Sequence, residues 1–254
     1  PEGDATHSTR LLRAAPENDH IVRHRFTDLS PGTRYYYRAD YGPDRESVAP
    51  DPAGRVGTFT TLPGEHAAAS TRMHIVTGLN YDKFYAPNGY AGDDRGLGFP
   101  ACDAMLALEP DLLVFTGDTV YYDKPPHAQA LEDLRAKWHR QFSRPRMVEL
   151  LANVATYWEK DDHDFRYNDC DLTGERFPPT DLGLAMFREQ APIVAQGDDE
   201  SPSYRTHRVS RDLQIWLIEG RDFRDANRDD DGPGKSLWGE AQRDWLMETL
   251  LASD

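Results

Sequence analysis

The chain has 254 residues, enough to bury one large core or a small domain beside a larger one. Its 44 acidic residues outweigh 29 basic ones, giving a formal net charge of -15 that repels a nucleic-acid backbone and leaves no basic stripe to bind one. Only 38% of the residues are hydrophobic, and no apolar run approaches the roughly 20 residues that cross a bilayer, which excludes a membrane-spanning helix within these residues.

The chain opens at Pro1 in a polar stretch without an initiator Met or the basic and apolar regions of a secretory leader, as a mature product or a fragment would. Four stretches rich in β-branched and aromatic residues follow: "STRLLRAA", "HIVRHRFTDL", "TRYYYRADY" and "RVGTFTTL". Turn formers such as "SPGT" and "PDPAG" separate them, and the pattern predicts a small antiparallel β-sandwich over residues 1–62. Alternate rings of Tyr35 to Tyr37 are expected to pack between its sheets. "TLPGEHAAAST" reads as the linker, residues 63–71.

From residue 72 the pattern changes. "MHIVTGL" (73–79) and "DLLVFTGD" (111–118) read as buried strands around a helix in "GFPACDAMLALEP", a βαβ unit. A long helical stretch runs from about His127 to Leu151, and "VATYWEKDDHD" is a strand entering its loop. "YRTHRVS" and "LQIWLIEG" form a later strand pair. "LWGEAQRDWLMETLLASD" closes the chain as a helix with Leu237, Trp245, Leu246, Leu250 and Leu251 largely on one face. Residues 72–254 therefore read as an α/β domain.

Acidic residues follow its apolar strands directly, where open α/β folds bind ligands. One strand ends in Gly117-Asp118 and another in Asp161-Asp162-His163-Asp164. The glycine lets the backbone turn and brings the carboxylate close to a cation. Residues 157–169, "YWEKDDHDFRYND", hold five acidic side chains and a histidine, a self-repelling cluster unless a cation neutralises it or it lies in water. Carboxylates and phenols are hard oxygen ligands suited to trivalent iron, calcium, manganese or magnesium. Cys102 and Cys170 lack the spacing of a zinc or redox motif and allow at most one disulfide.

"TGDTVYYD" and "WEKDDHDFRYND", preceded by "L-S-P-G-T-R-Y-Y-Y" and "TFTTLP" and followed by "QIWLIEGRDFR" and "GEAQRDWL", resemble the alkaline phosphatase D (PhoD-like) family of calcineurin-like metallophosphoesterases. The resemblance covers nearly the whole chain. It implies a metallophosphatase-type α/β domain, two β-sheets flanked by helices, behind a fibronectin type III-like sandwich. It implies a phosphomonoesterase or phosphodiesterase with a dinuclear centre of Fe3+ and Ca2+, and a secreted or periplasmic location. Carried over by motif, Asp118 would be the carboxylate shared by both metals, with Tyr121 an iron ligand and Asp162 a further ligand. His163 would stand near the leaving group, and Asn168 and Arg221 would contact the substrate phosphate.

The chain departs from the family pattern in two places. The family's cysteine ligand after its first strand is missing from "VTGLNYDKFY", where Asn80 or Asp82 would have to substitute. Histidine-bearing motifs expected after a helix like the last one are also missing, so the chain reads as truncated at its C-terminus or as a member with an incomplete site. An alternative from another class is a non-catalytic metal-binding or surface-interaction protein that retains the phosphatase scaffold.

Other motifs fail. In "DANRDDDGPGKSLWGE", Asn227, Asp229, Asp231 and Gly232 match a calcium loop, but the twelfth position is Trp238 where a bidentate Glu is required. "GYAGDDRGLGFP" lacks the lysine of a P-loop. Neither Ser143 nor Ser203 sits in a nucleophile elbow.

Overall fold

Leu112, Leu113, Val114 and Phe115 are each no more than 4% exposed. Their strand has a parallel neighbour on both sides, and an unbroken apolar run is what a strand covered on both faces requires. The structure is a computed structural model that describes residues 7–52, 54–193 and 201–253.

The N-terminal part holds two short antiparallel ladders: β1 (Arg34–Tyr37) with β4 (Gly57–Thr60), and β2 (Asp40–Tyr41) with β3 (Ala49–Pro50). Residues 8–15 and 20–29, expected as strands of a sandwich, form none. Arg23 shows why. Its guanidinium donates to the carbonyls of Arg188, Glu189 and Ala191 at 2.5, 2.7 and 2.9 Å, so the segment runs across a helix end of the larger part instead of adding to a sheet. Tyr35 stacks on Phe59 at 5.6 Å and Tyr37 lies 6.2 Å from the same ring, a one-layer contact within the ladder.

The larger part runs β5 (Met73–Val76), α1 (Tyr81–Phe84), α2 (Pro100–Ala107), β6 (Leu112–Thr116), α3 (Leu131–Phe142), α4 (Pro145–Asn153), β7 (Ala155–Glu159), α5 (Thr180–Gln190), β8 (Arg205–Ser210), β9 (Leu213–Leu217) and α6 (Gly239–Leu251). Strands β5, β6 and β7 form a parallel sheet in that order, and β8 and β9 an antiparallel pair. The pair is joined to β7 by Arg205, which donates to the Trp158 carbonyl, and by His207 stacked 4.4 Å from Tyr157. The core gathers Leu113 and Phe115 from β6, Trp158 from β7, Leu134 and Trp138 from α3, Met147 and Leu150 from α4, and Met186 and Phe187 from α5. The N-terminal ladder rests on α4, where Tyr37 Oη donates to the Ala152 carbonyl and Thr58 Oγ1 to Asn153 Oδ1, both at 3.2 Å.

Three sequence expectations need correction. The strand at 73–79 is an edge, not a buried strand, and Ile75 is 65% exposed. The helical stretch from His127 to Leu151 is two helices. Pro145 has no N–H to donate and holds Arg144 in extended backbone (φ −68°, ψ 136°), which ends α3 and starts α4. The last helix begins at Gly239, so Leu237 precedes it; within α6, Leu246 is buried and Trp245 half-buried while Leu250 and Leu251 are exposed.

The consequence for function lies in the register. Thr116 pairs with Glu159 at the carboxyl ends of β6 and β7, so the loops beginning at Gly117 and Lys160 leave the sheet side by side.

Candidate metal centre

The first loop turns at two left-handed residues, Gly117 (φ 92°) and Asp118 (φ 56°). A Cβ on Gly117 would lie 2.4 Å from the Asp161 nitrogen, so glycine here allows both the turn and the close approach of the second loop. Asp164 fastens the two loops. Fully buried, it accepts the Thr119 N–H at 3.0 Å and hydroxyl at 2.9 Å, and the Asp161 N–H at 2.7 Å. Burial pushes its carboxyl up to about 7 despite those donors.

The fastening brings Asp118, Asp162 and His163 together, with one potential ligand atom from each lying within 4.8 Å of the others. Asp118 Oδ2 accepts from Tyr121 Oη at 3.1 Å, whereas Oδ1 is buried without a hydrogen-bond partner among the described residues. Burial raises the Asp118 carboxyl, and Asp162 and Asp161 add to the rise against the opposing influence of His163. A buried carboxylate oxygen with no partner among the described residues, on a carboxyl close to Asp162, is what a bound cation would relieve, and carboxylates with a phenol fit a hard metal ion. Tyr121, 8% exposed, has its phenol held up by burial and by Asp118.

His163 packs its ring 4.4 Å from Tyr121 and places Nδ1 2.7 Å from Asp123 Oδ1. Asp123 Oδ2 accepts the Asn168 N–H at 3.1 Å. Burial opposes the Asp123 charge, but these two hydrogen bonds outweigh it and hold the carboxyl at about 2. Burial likewise opposes the imidazolium, and Asp123 more than compensates, raising the His163 pKa. With Nδ1 engaged, Nε2 is the nitrogen left for chemistry.

Asp162 is oriented by the Asp169 N–H, which donates to Oδ2. Arg221 donates from Nε to Asp161 Oδ1 at 2.6 Å and from Nη1 to the Cys170 carbonyl at 3.1 Å, with Nη2 3.7 Å from Asp162 Oδ2. Asn168 is exposed and uses its side-chain amide on Asp169 at 3.2 Å. Asn80 and Asp82 have other partners. Asn80 Oδ1 caps α1 by accepting the Lys83 N–H at 2.8 Å, and Asp82 pairs with Lys137 at 3.3 Å and Arg140 at 2.5 Å. Cys102 and Cys170 are free and buried.

Several supporting residues are absent from the motif reading. Asp123 had a signal, a second acidic position in "TGDTVYYD" directly behind Tyr121 and Tyr122. Lys160, Glu219 and Asp222 did not: Lys160 Nζ, fully buried, pairs with Glu219 Oε2 at 2.5 Å and with Asp222, tying the ends of β7 and β9 together. Buried Arg166 donates to the carbonyls of Pro178, Asp171, Thr173, Gly174 and Arg176 at 2.7 to 3.1 Å, folding the rest of the second loop around one guanidinium. In the calcium-like stretch, Lys235 Nζ takes the cation's place. It donates to the Asp229 carbonyl at 2.6 Å, Asp231 Oδ1 at 2.9 Å and the Asn227 carbonyl at 3.4 Å.

Residues 76–254 match a family described as PhoD-like phosphatase. A solved structure described as "Structure of PhoD" is similar with a TM-score of 0.73 at 21% identity, over 94% of this chain and 49% of that one. The likeness establishes a common fold, and the chain spans about half the length of that structure. No curated protein matches.

Proposed function

The chain belongs to the PhoD-like phosphatase family, and on that premise we propose that it carries part of the active site of a metal-dependent phosphoester hydrolase. The observation that carries this reading is the convergence of Asp118, Asp162 and His163 from two adjacent strand ends, with a buried Asp118 oxygen left without a partner among the described residues. In this reading residues 72–254 are the phosphatase part and 1–62 an N-terminal part, with 63–71 as the linker; the described N-terminal residues pack against α4 and the end of α5. The enzyme acts outside the cytoplasm, as the resemblance implies.

Asp118, Tyr121 and Asp162 are the proposed metal-holding residues, for a dinuclear centre of iron and calcium. Asn80 is the weakest of the candidates because its carbonyl oxygen already caps α1. Bound ions would supply Lewis acidity to the phosphoryl oxygens and acidify water as the nucleophile. The protein's own contribution is orientation. Asp123 fixes the imidazole of His163 by its Nδ1, which leaves Nε2 to donate a proton to the departing oxygen. Arg221, held by Asp161 and the Cys170 carbonyl, keeps a guanidinium beside Asp162 where a phosphate oxygen could be met, and Asn168 lies on the rim.

The test is hydrolysis of p-nitrophenyl phosphate and bis-p-nitrophenyl phosphate by the purified chain, with bound metal quantified and Asp118→Ala as control. Activity and metal that both vanish in the control support the reading and identify the preferred ester. Activity that persists in Asp118→Ala would overturn it.

A further inference from the structure

We propose that Asn227, on a surface loop 58 residues beyond Asp169 in sequence, is a positioning residue for Asp162; this rests on the reading of Asp162 as a metal-holding carboxylate. The contact chain is short. Asp162 Oδ2 accepts the backbone N–H of Asp169. That residue sits in the left-handed region (φ 54°), a conformation uncommon outside glycine that aspartate tolerates better than most residues and that contacts from outside the turn help to enforce.

Asn227 supplies the enforcement from outside the turn. Its Nδ2 donates to the Asp169 carbonyl at 2.6 Å, and its N–H donates to Asp171 Oδ2 at 2.7 Å. The other Asp171 oxygen is taken by Thr173, through N–H at 2.7 Å and hydroxyl at 2.6 Å. The turn carrying the Asp169 N–H is therefore gripped on both sides of Cys170.

The loop that presents Asn227 is itself closed. Lys235 crosses it as described, and Asp225 and Ser236 join its ends through Asp225 N–H to the Ser236 carbonyl at 2.9 Å and Ser236 N–H to Asp225 Oδ2 at 2.6 Å. An internal ammonium does there what calcium does in loops of similar sequence. The loop thus serves as a rigid support for the neighbouring Asp162 rather than as a metal site of its own.

The experiment titrates Mn2+ into the metal-stripped 254-residue chain and into Asn227→Ala by calorimetry, alongside kcat and KM for p-nitrophenyl phosphate over a range of Mn2+. Asn227 is exposed and the substitution changes no charge, so the apo melting temperature should hold. Groups that orient metal ligands commonly matter by one to two orders of magnitude when removed; one step further out, Mn2+ affinity should fall roughly 3- to 30-fold. The rate deficit should disappear at saturating Mn2+, which a general loss of structure would not allow. Affinity equal to wild type in Asn227→Ala overturns this assignment alone. A wild-type chain that takes up none of Mn2+, Fe3+ and Ca2+ and hydrolyses nothing overturns the functional reading with it.

Discussion

The Nδ1 atom of His163 lies 2.7 Å from Asp123 Oδ1, a contact that chooses which imidazole nitrogen is available to a substrate. Asp123→Asn keeps the shape and removes the charge, so the imidazolium loses its partner while the carboxylates of Asp118 and Asp162 stay in place. If His163 protonates the leaving oxygen, kcat should fall by roughly 10- to 1,000-fold. The fall should be larger for phenyl phosphate than for p-nitrophenyl phosphate, whose better leaving group needs less help. Equal losses on the two esters would assign Asp123 to folding or metal retention instead.

Gly117→Ala tests how closely the two site loops must approach. The added Cβ would meet the Asp161 nitrogen at 2.4 Å and the Lys160 carbonyl carbon at 2.8 Å, backbone atoms that cannot swing aside, at a φ of 92°. The combined strain should cost more than about 3 kcal/mol of unfolding free energy. At Gly220 no described residue lies within 4 Å of an added Cβ. Gly220→Ala should therefore stay within about 0.5 kcal/mol of wild type. Urea unfolding of the two variants gives the comparison.

The two acidic strand ends were legible in the sequence because an apolar run of strand length that stops at Gly117-Asp118, or enters Asp161 to Asp164, leaves little freedom in where those carboxylates go. What fastens them was not. Lys160 meets Glu219 across 59 residues and Arg221 meets Asp161 across 60, separations at which no local pattern survives. Two local readings also failed for physical reasons. Pro145 interrupts a continuous helical periodicity without disturbing its apolar spacing, and the aromatic, β-branched composition of residues 20–29 did not reveal that Arg23 would be drawn to the carbonyls at the end of α5. Composition indicates what can form a ladder, but the partner strand decides whether one forms.

Lys160 makes the buried charge network an all-or-none feature. Its ammonium sits 5.0 Å from the Phe165 ring between Glu219 and Asp222, and Asp222 also accepts from the Ser203 hydroxyl. Lys160→Met leaves two buried carboxylates facing each other and should cost about 3–5 kcal/mol. The triple variant Lys160→Met, Glu219→Gln, Asp222→Asn removes all three charges together and should be more stable than the single variant. Urea denaturation of both decides it; a triple variant less stable than Lys160→Met would mean that the carboxylates have favourable partners other than Lys160.

His207 predicts the sign of one pH dependence. Its ring is stacked on Tyr157, and Nε2 is buried without a hydrogen-bond partner among the described residues. Burial, with a further contribution from Arg205, lowers its pKa to about 4. Above the ordinary histidine value of about 6.5 the ring is neutral in both folded and unfolded chains, and it contributes no slope. As pH falls from there towards 4, the unfolded chain takes up the proton and the folded chain does not, so stability falls with pH across that window. The ring is partly open to solvent, which limits the effect to about 1 kcal/mol. Measured by urea unfolding at pH 7 and pH 5, the loss should be smaller in His207→Phe, which keeps the stack on Tyr157 and cannot titrate. Equal losses in the two proteins would mean that His207 takes up its proton as readily in the folded chain as in the unfolded one.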